Sequence, residues 1–97
     1  MSKEPNMDDA KLLQEYVVGR SETAFAELVA RHVNLVYSTA LRMVQNAALA
    51  KDVAQLVFIQ LARKAPLIRS GQALPGWLYR VTRCQAANVV RDDCTRP

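Results

Sequence analysis

Residues Ser21 to Val44, SETAFAELVARHVNLVYSTALRMV, decide the fold class. Ser21 has the short polar side chain that caps a helix, and Glu22 sits where negative charge favours the first turn. Phe25, Leu28, Val29, His32, Val36, Ala40 and Val44 then recur mostly at steps of three and four. This spacing draws one apolar stripe about five turns long, as an amphipathic helix requires. On its N-terminal side, Asp8 or Asp9 can cap a shorter helix from Ala10 to about Val18, with Gly19 as its stop. On its C-terminal side, Asn46 interrupts the stripe and can cap a third helix, Ala47 to about Ala65, which Pro66 ends. Residues 66–76 hold two prolines and two of the chain's three glycines, which marks a loop. A fourth helix follows from about Pro75 to Asp93, with proline suited to its first turn. Strand signals are absent: there is no alternating β-branched run and no Asn-Gly or Asp-Gly turn. The expected fold is all-α, a compact bundle of three or four helices over residues 10–93. Residues 1–9 are expected to form a flexible N-terminus, and residues 94–97 the start of a linker or tail.

Length and composition agree with this. The chain has 97 residues, one domain's worth, and 51% are apolar, so a packed core is expected. Net charge is +4, from 13 basic and 9 acidic side chains. The charge is unevenly placed. Residues 1–50 carry a net of −1 and residues 51–97 a net of +5, and no acidic residue lies between Val53 and Arg91. A one-sided basic half points to a polyanion partner.

Several function classes are excluded or disfavoured. The polar, acidic N-terminus is not a signal peptide. The longest run of large apolar residues, Leu56 to Ile59, is far short of the roughly 20 residues that span a bilayer. An intracellular, cytoplasmic protein without membrane insertion is expected. Cys84 and Cys94 fit a reducing compartment, and ten residues along one helix would separate them by roughly 15 Å, too far for a disulfide. The lone histidine, His32, falls in an apolar stripe and reads as a packed side chain. No zinc-ligand spacing, phosphate loop or nucleophile motif is present. No catalytic residue, metal or cofactor is expected.

Two helices carry more information. The third has apolar residues around its whole circumference: Leu49, Val53, Leu56, Val57, Phe58, Ile59 and Leu61. Either it lies enclosed at the centre of the bundle, or its outer face belongs to a partner interface. On the fourth helix, Arg80, Arg83 and Arg91 share one face, and Leu78, Val81, Gln85 and Val89 lie on another. Trp77 and Tyr79 stand at its head. Flat aromatics beside arginines suit unstacked bases, although Trp77 also reads as a core anchor. Cys84, Gln85 and Asn88 place short polar groups between the arginines, and Gln and Asn can hydrogen-bond base edges.

The segments Ala24–Tyr37 (AFAELVARHVNLVY), Ala50–Phe58 (AKDVAQLVF) and Pro75–Arg83 (PGWLYRVTR) together resemble bacterial extracytoplasmic-function sigma factors. The second resembles their Asp-x-x-Gln-Glu-x-Phe segment and the third their Trp-Leu-Tyr-Arg-Ile-Ala-Arg segment. Three ordered motifs at the family's spacing cover about residues 10–92. The resemblance implies the helical domain called region two of the sigma-70 family. It implies docking on the clamp helices of the largest catalytic subunit of RNA polymerase. It also implies recognition and melting of the promoter -10 element through single-stranded non-template DNA.

Carried over by position, Asp52 and Gln55 match polymerase-docking residues, and Leu56 stands where the family usually has Glu. With Ile59 they belong to the outer face that polymerase would cover. Arg69, Ser70, Gly71, Gln72 and Ala73 match the loop that holds a flipped base, where a bend and backbone donors suit an unstacked nucleotide. Arg83 matches a family arginine. Cys84 replaces a common Asn and Asn88 a common Asp, so base preference does not transfer. A full family member carries a second helical domain after a linker. The absence of one here implies an excised domain or a truncated product. An anti-sigma factor is a further implied partner. The competing expectation is a helical protein-interaction module, anti-sigma-bound or adaptor, that ignores DNA.

Overall fold

The computed structural model describes residues 9–68 and 74–95. Its elements are α1 (Asp9–Gly19), α2 (Glu22–Val44), α3 (Ala47–Lys64), a 3-10 turn (Ala65–Leu67) and α4 (Leu74–Thr95). The bundle is all-α over the described residues, as the periodicity predicts.

Local chemistry sets the boundaries. Ser21 has extended backbone, and its hydroxyl accepts a hydrogen bond from the Ala24 amide at 3.1 Å. Asn46 does the same for α3, accepting from the Leu49 amide at 3.0 Å. Each cap satisfies one donor that a helix leaves orphaned. Asn46→Ala should therefore cost about 1 kcal/mol of unfolding free energy. Urea denaturation checks this through the midpoint, and Asn46→Asp should lose much less.

The ends of α1 and α3 differ slightly from expectation. The residue that turns the chain after α1 is Arg20, with φ 57°, rather than Gly19, which is the last helical residue. The last residue of α3 is Lys64, one short of Ala65, because Pro66 tightens the chain into the 3-10 turn. Pro75 lies in the first turn of α4, where its missing N–H is harmless. The N-terminal segment 1–8, including Asp8 as a candidate cap, lies outside the described residues.

The central element is α2. It packs against α1, α3 and α4, and α3 also packs against α4. The core it organises includes Leu12 and Leu13 of α1, Leu28 and Val36 of α2, Val53, Val57 and Leu61 of α3, and Leu78 of α4. The enclosed-helix alternative for α3 is therefore excluded. Its inner face is buried, while Leu56 and Ile59 remain 42% and 52% exposed.

His32 is buried, and its Nε2 lies 2.9 Å from an Asp9 carboxylate oxygen. The other Asp9 oxygen accepts from Arg31 at 3.3 Å, and Arg31 also pairs with Glu27. These contacts tie the start of α1 to the middle of α2. His32 is thus a packed, partnered side chain.

Candidate functional site

Two exposed surfaces concentrate the residues singled out by sequence. The first is the outer side of α3. Asp52, Gln55, Leu56 and Ile59 are all exposed there, at positions that share one side of a 3.6-residue helix. Beside this side runs an apolar groove of about 980 Å³ between α2 and α3. Its α2 wall is a ladder at strict four-residue steps: Phe25, Val29, Val33 and Tyr37. Its α3 wall includes Ala47, Ala48, Ala54 and Ala62, whose small side chains give the groove depth, and Phe58. Gln55 and Ile59 belong to both the groove and the outer face of α3.

The ladder is the feature missed in sequence. The spacing of the apolar residues of α2 predicts a single stripe. The structure divides them. Ala24, Leu28, His32, Val36 and Ala40 are buried, and the ladder one residue further on lines the groove. Two parallel i, i+4 series one residue apart make a stripe wider than a core contact needs, and this width was visible in the spacing.

The second surface is α4. Leu74, Leu78, Thr82 and Ala86 are its buried line. Thr82 satisfies its hydroxyl by donating to the Leu78 carbonyl at 2.6 Å. Trp77, Val81, Gln85 and Val89 are half-buried flanks of that line. So the core line runs one position over from the sequence stripe, and Trp77 packs against the core as an anchor. Tyr79, Arg80, Arg83, Cys84, Asn88 and Arg91 are exposed. The Arg83 guanidinium carbon lies 5.7 Å from the Tyr79 ring centroid, within cation–π range. Tyr79 and Arg83 are one turn apart, so each holds the other's orientation on the surface. Gln85 is less available than its neighbours. Residues Arg69, Ser70, Gly71, Gln72 and Ala73 lie outside the described residues.

Among the described residues, no group of three His, Cys, Asp or Glu side chains could hold a metal ion. No described helix is long and apolar enough to cross a membrane. What the two surfaces offer is binding: an apolar and polar helix face on α3, and a cationic, aromatic face on α4.

Known proteins resemble this chain in sequence. The family profile described as Sigma-70 region 2 matches residues 28–94. RNA polymerase sigma factor CarQ of Myxococcus xanthus is 36% identical over 72 residues, covering 74% of this chain and 39% of that protein. The chain thus spans less than half the length of this relative. No solved structure matches.

Proposed function

The chain belongs to the sigma-70 region 2 family, and from that premise we propose that it is a sigma-factor domain acting in transcription initiation in the bacterial cytoplasm. It docks on the RNA polymerase clamp through Asp52, Gln55, Leu56 and Ile59 of α3. It binds the non-template strand of the -10 element through α4, with Arg69, Ser70, Gly71, Gln72 and Ala73 holding an unstacked base. Its work is differential binding, and no residue is assigned a catalytic step.

The observation that carries the DNA half is the composition of the exposed α4 face. It presents Arg80, Arg83 and Arg91 beside Tyr79, with no acidic side chain between Val53 and Arg91. Arginines neutralise phosphates, and an exposed ring held against a guanidinium offers a stacking surface indifferent to base identity. Cys84, a poor hydrogen-bonder, and Asn88 then adjust which base edges are read.

The test is fluorescence anisotropy with a single-stranded -10-type oligonucleotide. Three phosphate contacts give a salt slope of about −2, so affinity should fall about 100-fold for a tenfold rise in salt. Arg80→Ala with Arg83→Ala should leave a slope of about −0.7. Equal binding at low and high salt would overturn the assignment.

The apolar groove favours a second reading, a domain whose partner is a helical protein such as an anti-sigma factor. That module would keep its partner when both arginines are replaced, and would not bind the oligonucleotide at all.

A further inference from the structure

The outer face of α3 carries an order of charges that docking on polymerase uses only in part, since Arg63 has no role in it. Asp52, Leu56, Ile59 and Arg63 stand at i, i+4, i+7 and i+11, and all four are exposed. They therefore form one stripe, with an acid at one end, a base at the other and two apolar side chains between. Neither Asp52 nor Arg63 has an ion-pair partner among the described residues. The apolar pair is exposed, Leu56 at 42% and Ile59 at 52%.

The stripe is self-complementary. Its centre lies midway between Val57 and Phe58. A second copy laid antiparallel about a two-fold axis through that point brings Asp52 to Arg63 and Leu56 to Ile59. Each contact then occurs twice, as a two-fold interface requires. Gln55 meets Gln60 on the flanks in the same way. The two acid–base contacts would lie at opposite ends of the stripe, about 16 Å apart along the axis. A parallel arrangement would set Asp52 on Asp52 and Arg63 on Arg63, so charge selects the antiparallel one. Lys51 and Lys64 also approach each other's ends, but they lie about 110° round the helix from the stripe's centre.

We propose that the chain pairs with a second copy of itself through this face of α3. The contact is a single helix stripe, so the dimer belongs to the small, transient class of interfaces. Its stripe includes Asp52, Leu56 and Ile59, so self-pairing hides the surface assigned to polymerase. That last consequence rests on the proposed function; the dimer itself does not.

Sedimentation equilibrium of the 97-residue chain, up to a concentration on the order of 1 mM, tests it. The wild type should self-associate reversibly, less so as salt rises. Asp52→Arg alone and Arg63→Asp alone should each weaken self-association about tenfold, because both symmetric contacts become repulsive. An equimolar mixture of the two variants should recover association, since every contact between unlike chains is again attractive. All the substituted positions are exposed, so thermal melting should confirm that each variant folds. A wild type that stays monomeric throughout would overturn the proposal. So would an Asp52→Arg chain that associates as tightly as the wild type, or a mixture that shows no recovery. None of these outcomes bears on polymerase capture, which is read separately.

Discussion

Asp52→Ala combined with Gln55→Ala is expected to abolish capture of the chain by a polymerase clamp fragment. The two side chains are three residues apart on the exposed side of α3, so a single partner surface can engage both. A carboxylate and an amide at the centre of an interface lose hydrogen bonds that solvent does not restore once the surface closes. Together the losses are worth about 3–5 kcal/mol, or a drop of at least about 100-fold in affinity. Leu56 and Ile59 remain in the double variant and sustain only weak apolar contact. Thermal melting should be almost unchanged, because neither replaced side chain touches the core. Isothermal titration against the clamp fragment reads the effect, and affinity within about threefold of wild type would refute this docking face.

Leu28→Ala is expected to lower the unfolding free energy by about 3–4 kcal/mol. Leu28 is fully buried on α2, the helix against which the other three pack. Truncating it leaves a cavity that three neighbouring helices cannot all collapse to fill. For a domain with only about 5–10 kcal/mol of stability, that is a large share. Ile59→Ala is the contrasting control. Its side chain is half exposed, so the unfolding free energy from urea denaturation should fall by about 0.5 kcal/mol or less, while polymerase capture weakens. A Leu28→Ala loss below about 1 kcal/mol would mean that α2 is not the organising helix.

Helix boundaries were legible because they rest on local chemistry. Ser21 and Asn46 cap as short polar side chains do, and Pro66 and Pro75 stand where proline is tolerated. The burial of α3 was not legible from periodicity alone, although the family resemblance put Asp52, Gln55, Leu56 and Ile59 on the outer face, where all four are exposed. Leu56, Val57, Phe58 and Ile59 cover its circumference, so periodicity could not say which side faces out. The answer depends on α2 taking the centre, which is a property of packing. The Asp9–His32 contact was equally hidden, since it joins residues 23 apart in sequence. Arg20 taking the left-handed turn after Gly19 also escapes a rule that expects glycine there. On α4 the cationic face was readable from spacing. The core line was displaced by one position because Thr82 satisfies its own hydroxyl within the helix and so tolerates burial.

The connection between α2 and α3 also bears on how the chain assembles. It consists of Gln45 and Asn46 alone, with Gln45 held at φ 54° and its amide bonded to the Leu41 carbonyl at 2.8 Å. Closing so short a loop costs little chain entropy, so these two helices are expected to pair early in folding. By contrast, α4 must close a longer segment before it meets α2. Contacts of this mostly local kind place folding in the microsecond-to-millisecond range. Once docked, α4 packs against both α2 and α3 and buries Leu78, Thr82 and Ala86, so the cationic face is carried on a firmly held helix.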